Sequence, residues 1–340
     1  MVGMWQFLIR RILQSILVLF VVSIVTFTLA HAVPGDPITA LISEKQADNP
    51  EVRAALEKRW GLDKPLPVQY LTYVGNLFKG DMGESISKRR PVIDELKLRI
   101  PATIELSSFA MGFAILVGVP LGIVSALKHD RWPDHIARFI TLIGTSVPDF
   151  WFGLIMIYVF FYKLHWLPGP GRLDVGMKPP PTITGMVTLD AALQGQWDVF
   201  WAAFKRLILP AVVLGAFAMG IIARMLRSSL IASMNEDYVR TARAKGIKES
   251  LVVRGHALRN ALIPTITVLG LTTASLLAGA VLTETIFSWP GLGNYAVSAA
   301  IKLDYPALLG ITLVVAVFYV VINLAVDVIY GLLDPRIRNT

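Results

Sequence analysis

Six stretches of this chain are too long and too apolar for an ordinary water-soluble core. They lie near residues 12–33, 102–127, 137–161, 206–226, 263–285 and 306–330. A helix rises 1.5 Å per residue, so about 20 apolar residues cross a hydrocarbon layer roughly 30 Å thick. Within that layer every backbone amide needs an internal partner, and for runs of this length the helix supplies it. Charged residues make up only 16% of the chain and hydrophobic residues 54%, whereas soluble domains average about 25% charged. The expected fold is therefore an all-α polytopic membrane protein with six transmembrane helices. With no cysteine present, disulfides, thiolate metal sites and cysteine nucleophiles are excluded. The five histidines show no metal-ligand spacing of the HExxH kind.

The formal charge of +8 is explained more simply by basic membrane loops than by nucleic acid. Short cytoplasmic loops carry an excess of Lys and Arg. Arg10 and Arg11 precede the first span, and Lys128, Arg131 and Arg138 lie around the turn between the second and third. Arg224, Arg227, Arg240, Arg243, Lys245, Lys248, Arg254 and Arg259 crowd the segment between spans four and five, and Arg336 and Arg338 close the chain. Placing all of them inside predicts that both termini are cytoplasmic. The first apolar run exceeds the 7–15 residues of a signal-peptide core and no small-x-small cleavage pattern follows, so residues 1–33 read as a retained anchor span.

Residues 34–101 are expected to form an external helical segment. PGDP at 34–37 is a turn signal. NPEVRAALEKRWGL then has Asn49 as a cap, Pro50 at the first helical position and Gly61 as a stop. From Pro67 to Phe78, residues Tyr70, Leu71, Val74, Leu77 and Phe78 share one helical face. Residues 162–205, with PGPGR at 168–172 and KPPPT at 178–182, read as irregular loop. Trp166, Trp197 and Trp201 read as interfacial anchors. The remainder, 102–338, is read as a core of spans two to six that includes the cytoplasmic loop 227–264.

That loop is the most informative part of the chain. The 38 residues from Arg227 to Pro264 far exceed what two adjacent spans need. The composition favours helix, with an interruption at Gly246 and a second helical run from about Lys248 to Ile263. At 100° per residue, Tyr238, Val239, Ala242 and Gly246 fall in one sector, with Arg240 and Arg243 opposite. Small residues let another surface approach closely, so the stripe is expected to dock a partner. A basic helix resting on anionic lipid would instead present large apolar groups.

The same segment resembles the EAA loop of type I permease subunits in ABC importers. The likeness is greatest to the dipeptide, oligopeptide and nickel permease branch, through DYVRTARAKG (Asp237 to Gly246) and HALRNALIP (His256 to Pro264). Arg240-Thr241-Ala242 stands where the sugar-permease version has Glu-Ala-Ala, a departure shared by the peptide branch. HAVPGDP (31–37), GLDKPLPVQY (61–70), GDMGESI (80–86), TIELS (103–107), SVPDFWFG (146–153), LTETIFSWPGLG (282–293) and DPRIR (334–338) extend the resemblance to the B-type permeases of dipeptide and oligopeptide importers. It implies the type I permease fold and a place in the bacterial cytoplasmic membrane. The implied partners are a homologous C-type permease subunit, two ATPase subunits and an extracytoplasmic substrate-binding protein. By that likeness Asp237, Tyr238, Arg240, Thr241, Ala242, Arg243, Ala244, Lys245 and Gly246 would dock the ATPase, and His256, Arg259, Asn260 and Pro264 would continue the loop. The implied cargo is peptide, with nickel chelates, haem or oligosaccharides as alternatives.

No GxxxxGK[ST] run occurs, so this chain is not expected to bind ATP; ATP and magnesium would be used by partner subunits. Ionisable groups within spans are costly and mark candidate functional positions. Glu105 lies near the outer end of span two, Asp149 mid-way through span three beside Pro148, and Glu284 at the close of span five. Each could face a water-filled path or take part in gating. Glu105, Glu284 and Asp327, near the inner end of span six, could equally snorkel or form a local pair. A secondary transporter driven by an ion gradient is the competing class, but apart from Asp149 the midplane acids it favours are lacking. No catalytic or metal constellation appears.

Overall fold

The computed structural model describes residues 2–32, 50–51 and 64–333. Among the described residues, five helices are long and apolar enough to cross a membrane, and a sixth span arises if one bent helix pair counts as a single crossing. In chain order the main elements are α1 (Val2–Ala32), α2 (Leu66–Phe78), the two-residue strands β1 (Glu84–Ser85) and β2 (Arg90–Pro91), and α3 (Val92–Leu127). They continue with α4 (Trp132–Ser146), α5 (Asp149–Met156, extended by wide turns over Ile157–Lys163), α6 (Val187–Leu193) and α7 (Trp197–Met234). The chain then forms α8 (Asp237–Ala244), α9 (Leu258–Gly279), α10 (Val281–Ile286), α11 (Leu292–Ile301) and α12 (Tyr305–Leu333). The helix expected over residues 49–62 lies almost wholly outside the described residues.

The core is the pairing of α3 with α7. Ala102, Leu106, Ala110 and Ala114 recur every four residues on α3 and are all fully buried. They meet Leu207, Ala211, Leu214, Ala218 and Ile222 of α7 in one apolar cluster that also takes in Leu276, Ala280 and Trp289. Four-residue ridges of this kind interdigitate with those of a facing helix. Further along the same ridge, a Cβ at Gly118 would lie 2.9 Å from the Met219 carbonyl oxygen, and one at Gly122 2.9 Å from that of Ala223. From the other side, a Cβ at Gly215 would come within 2.4 Å of the Ala110 carbonyl oxygen. Bare glycine is what permits this spacing, and in lipid such close backbone contact supplies much of the attraction between helices. Gly112, on the same helix, faces open space instead.

Helix boundaries differ from the sequence reading in an instructive way. Helix α3 begins ten residues before the expected span and α7 begins nine before, at Trp197. At 36 residues, α3 is about 54 Å long and projects well past a hydrocarbon layer. Hydropathy marks the segment that lipid can cover, and a helix does not stop where its apolar run stops.

The third expected span is not one helix. Helix α4 and the segment Asp149–Lys163 meet at 109°. Pro148, with φ −61° and ψ 132°, occupies the extended position before α5. It cannot donate the amide that a continuous helix would need there. Asp149, expected mid-span, is instead in the first turn of α5, where the helix dipole favours a carboxylate.

Helix α1 lies at the margin. Tyr70 of α2 shares a 2.7 Å hydroxyl contact with Ser23 and packs edge-on against Phe20 and Phe27. Arg11, near the start of α1, pairs with Asp327, near the end of α12, at 3.3 Å. The start of α1 and the end of α12 thus lie at the same end of the bundle. At the other end, Asp304 accepts from the Ser85 hydroxyl (2.5 Å) and from the amides of Ile86 (3.1 Å) and Ser87 (3.0 Å). That carboxylate fixes the β1–β2 hairpin to the start of α12.

Candidate functional site

Helix α8 follows α7 after a two-residue turn and is seated on the bundle by one apolar face. Val239 and Ala242 are buried among Leu226 and Leu230 of α7 and Val252, Ala257 and Ala261 further on. Val119, Ile123 and Ala126 of α3 pack against the same cluster. This narrows the expected docking face. Of the small-residue stripe, Val239 (0% exposed) and Ala242 (5% exposed) are covered by this chain's own helices, whereas Tyr238 and Gly246 are exposed. Together with them, Asp237, Arg240, Thr241, Arg243, Ala244 and Lys245 are exposed on α8 and its cap.

The end of α8 is specified residue by residue. Gly246 has φ +73°, its amide donates to the Arg243 carbonyl (2.9 Å), and the Ile247 amide reaches back to that of Ala242 (3.4 Å). This is the paired-bond stop that glycine just past a helix end makes without steric cost. Arg243 then spans the turn, its Nη2 2.7 Å from Glu249 Oε1 and its Nε 3.1 Å from Oε2. Its fork therefore serves the loop itself. Beyond it the chain is helical from Glu249, through wide turns over Val252–Ala257, into α9. His256, Arg259 and Asn260 are exposed on this stretch and Pro264 lies inside α9.

Nothing lies within 4 Å of a Cβ built at Gly246, so a substitution there is opposed by backbone geometry alone. Gly246→Val should cost about 1–2 kcal/mol of local stability, the usual penalty for an L-residue in left-handed conformation. Gly246→Asn should cost clearly less, since Asn tolerates that region. Amide-exchange protection across residues 239–247 should fall in that order; equal protection in both variants would refute it.

The acidic candidates at the opposite end are held in a buried network. Glu105 is 1% exposed. Its Oε2 takes Arg172 Nη2 at 2.5 Å and Nε at 3.0 Å, and its Oε1 takes the Thr188 amide (2.8 Å) and hydroxyl (2.7 Å). Arg172 also donates to the Gly185 carbonyl at 2.8 Å and lies 5.6 Å from the Trp289 ring centre. The Trp289 indole donates to the Ala102 carbonyl at 2.8 Å. At the residue after Ala102, Thr103 donates to Glu284 Oε1 (2.6 Å) and accepts from the Leu292 amide (2.8 Å). Glu284 Oε2 takes the Asn294 amide at 3.0 Å. A Cβ on Gly291 would sit 2.2 Å from the Glu284 carboxylate, and one on Gly293 2.5 Å from the Val281 backbone. The runs TIELS and LTETIFSWPGLG thus meet in space, and neither Glu105 nor Glu284 reaches the surface of this chain. Arg172, which holds Glu105, carried no periodic signal in its loop. Pro148 and Asp149 lie apart from this network, at the α4–α5 bend.

Asp190 braces the same loop from α6, taking the amides of Ile183 (3.2 Å), Thr184 (2.8 Å) and Gly185 (2.9 Å) and the Thr184 hydroxyl (2.7 Å). Burial opposes its ionisation, but these donors together hold the carboxyl below the usual carboxylate range. A depressed folded-state pKa stabilises the fold at all pH values above the unfolded value, roughly 4. That contribution is lost as pH falls through the lower, folded value. Amide protection at residues 183–185 should therefore hold from neutral pH down to about pH 4 and weaken only below it. In Asp190→Asn it should be weaker throughout and flat with pH; an identical profile in that variant would remove the account.

A family described as "Binding-protein-dependent transport system inner membrane component" matches residues 118–339, and its amino-terminal companion matches residues 4–107. This chain belongs to that family. It is 46% identical to the probable D,D-dipeptide transport system permease protein DdpB of Escherichia coli (strain K12), across 98% of this chain and 97% of that one. It is also 46% identical to the dipeptide transport system permease protein DppB of Alkalihalophilus pseudofirmus (strain ATCC BAA-2126 / JCM 17055 / OF4), across 98% and 100%. The oligopeptide transport system permease protein AppB of Bacillus subtilis (strain 168) is 39% identical across 98% and 100%. The family and the apolar helices make this a multi-pass membrane protein.

Proposed function

We propose that this chain is the membrane-spanning subunit of an ATP-driven importer that carries dipeptides or oligopeptides across the bacterial cytoplasmic membrane. The observation that carries this reading is α8: an outward-facing helix at one end of the bundle, in a transport-family chain without a nucleotide-binding run. The exposed surface of Tyr238, Thr241, Ala244 and Lys245 is the face a separate ATPase would grip. Its movement would pass through the buried Val239–Ala242 face into α3, α7 and α9 as a rigid-body switch.

The basic residues Arg10, Arg11, Lys128, Arg131, Arg227 and Arg254 lie toward the α8 end, and the positive-inside bias favours a cytoplasmic place for it, which supports six crossings with both termini inside. The opposite end, with its hairpin and braced loop, would meet a substrate-binding protein. A second, homologous permease subunit would complete the path, and two ATPase subunits would bind ATP and magnesium. Peptide cargo is supported by the roles of relatives that match over nearly the whole chain.

The test is uptake of a labelled dipeptide into vesicles carrying the reconstituted complex. Uptake should require enclosed ATP and ignore an imposed proton or sodium gradient. Gradient-driven, ATP-independent uptake would overturn the reading in favour of secondary transport.

A further inference from the structure

Asp134 is fully buried at the start of α4, yet it belongs to no run that pointed to function. Its carboxylate collects donors from three separate elements. Arg227 of α7 approaches it fork-on, Nε 2.9 Å from Oδ1 and Nη2 2.8 Å from Oδ2. The Ser125 hydroxyl of α3 donates to Oδ1, the Asp130 amide of the α3–α4 turn donates to Oδ2 at 3.0 Å, and Arg138 Nε stands 3.6 Å away.

The placement matters more than the pairing. Ser125 and Arg227 are the sequence neighbours of Ala126 and Leu226, which belong to the apolar seat of α8. Seat and clamp therefore share two helices, one using an apolar side of each and the other a polar side. Among the described residues no member of α4 belongs to that seat. Helix α4 is joined to the same unit by the carboxylate at its first turn and, further along, by close glycine packing. A Cβ at Gly144 would lie 2.6 Å from the Ala216 carbonyl oxygen, and one at Gly220 2.8 Å from that of Thr141. Helix α4 in turn leads into the 109° bend before Asp149. A push on α8 would act on α3 and α7 directly, and the Asp134 carboxylate ties the start of α4, which leads to the bend, to those same two helices through Ser125 and Arg227.

We propose that Asp134 and Arg227 are positioning residues for transport, a strut that carries displacement of α8 into the α4–α5 bend. This rests on the importer reading above. Removing one partner alone would orphan a buried charge, which is destabilising whatever its role, so the informative variant is Asp134→Asn with Arg227→Gln, which leaves neither charge. In the complete reconstituted complex this double variant should assemble with its ATPase subunits and hydrolyse ATP at the parent rate. The ATP consumed per labelled dipeptide imported should rise about fivefold or more, a coupling of the size usual between linked sites. Arg227→Lys, which keeps the charge and loses the fork, should show a smaller rise in the same ratio, and it supplies the answer if the double variant fails to assemble. An unchanged ratio in the double variant, or in Arg227→Lys where that is the one that assembles, overturns the strut while the parent complex still imports on ATP. A parent complex that imports without ATP would overturn the importer reading itself.

Discussion

Arg172→Ala should lower the stability of this protein by roughly 3–5 kcal/mol, the usual cost of leaving a buried ionic partner uncompensated. Glu105 is 1% exposed and its pairing with Arg172 is almost wholly shielded from water, so solvent cannot replace the guanidinium. The loss should extend beyond the pair. Arg172 also ties the loop through the Gly185 carbonyl and lies over Trp289, so three elements lose a common anchor. Thermal unfolding in detergent, followed by tryptophan fluorescence, should show a large fall in midpoint. Arg240→Ala provides the contrast: its partner Asp237 is 3.3 Å away and both side chains are widely exposed, and surface pairs of that kind contribute little. Glu105→Gln combined with Arg172→Met should recover much of the loss, because no orphan charge remains. A normal midpoint for Arg172→Ala alone would show that the network is not what fixes the loop to α3.

What could be read from the sequence and what could not follows from the range of the interactions. Apolar length along the chain is a local property, so the five long apolar helices were legible. The stop at Gly246 was legible for the same reason, since a helix end is written in a few adjacent residues. The α4–α5 bend was written locally too, in Val147-Pro148-Asp149, but averaging hydropathy over 137–161 hides a break that costs no apolar residue. Periodicity grouped Val239 with Ala242 correctly, yet it says which residues share a face and not what that face meets. Here the covering partners, Leu226, Leu230 and Ala257, are supplied by other helices. The carboxylate networks are the least legible part. Glu105 meets Arg172 across 67 positions and Asp134 meets Arg227 across 93, and no spacing rule connects such pairs. Glu284 gave a faint signal, because glycines at 291 and 293 just after a buried acid suggest backbone approaching a carboxylate.

Overpacking the inward face of α8 should have the largest effect on transport. In Ala242→Phe the ring would have to enter a cluster already filled by Leu226, Leu230, Val252 and Ala261, and forcing volume into packed apolar contact typically costs 1–3 kcal/mol. An eight-residue helix has little stability of its own, since helices shorter than about 12–15 residues depend on packing to persist. The strain should therefore be relieved by α8 lifting from its seat, with the bundle left intact. If α8 is the element that hands on ATP-driven movement, uptake should fall by roughly 10- to 100-fold, the range expected when a coupling of 1–3 kcal/mol between sites is lost. The same ring placed two residues on, in Ala244→Phe, points from the exposed face and meets no core. That variant should keep α8 protected from amide exchange while reducing retention of the ATPase subunits on purification. The two substitutions add identical volume to opposite faces, so they separate seating from docking. Wild-type uptake in Ala242→Phe would mean that the buried face transmits nothing, and the importer would need another route for its driving movement.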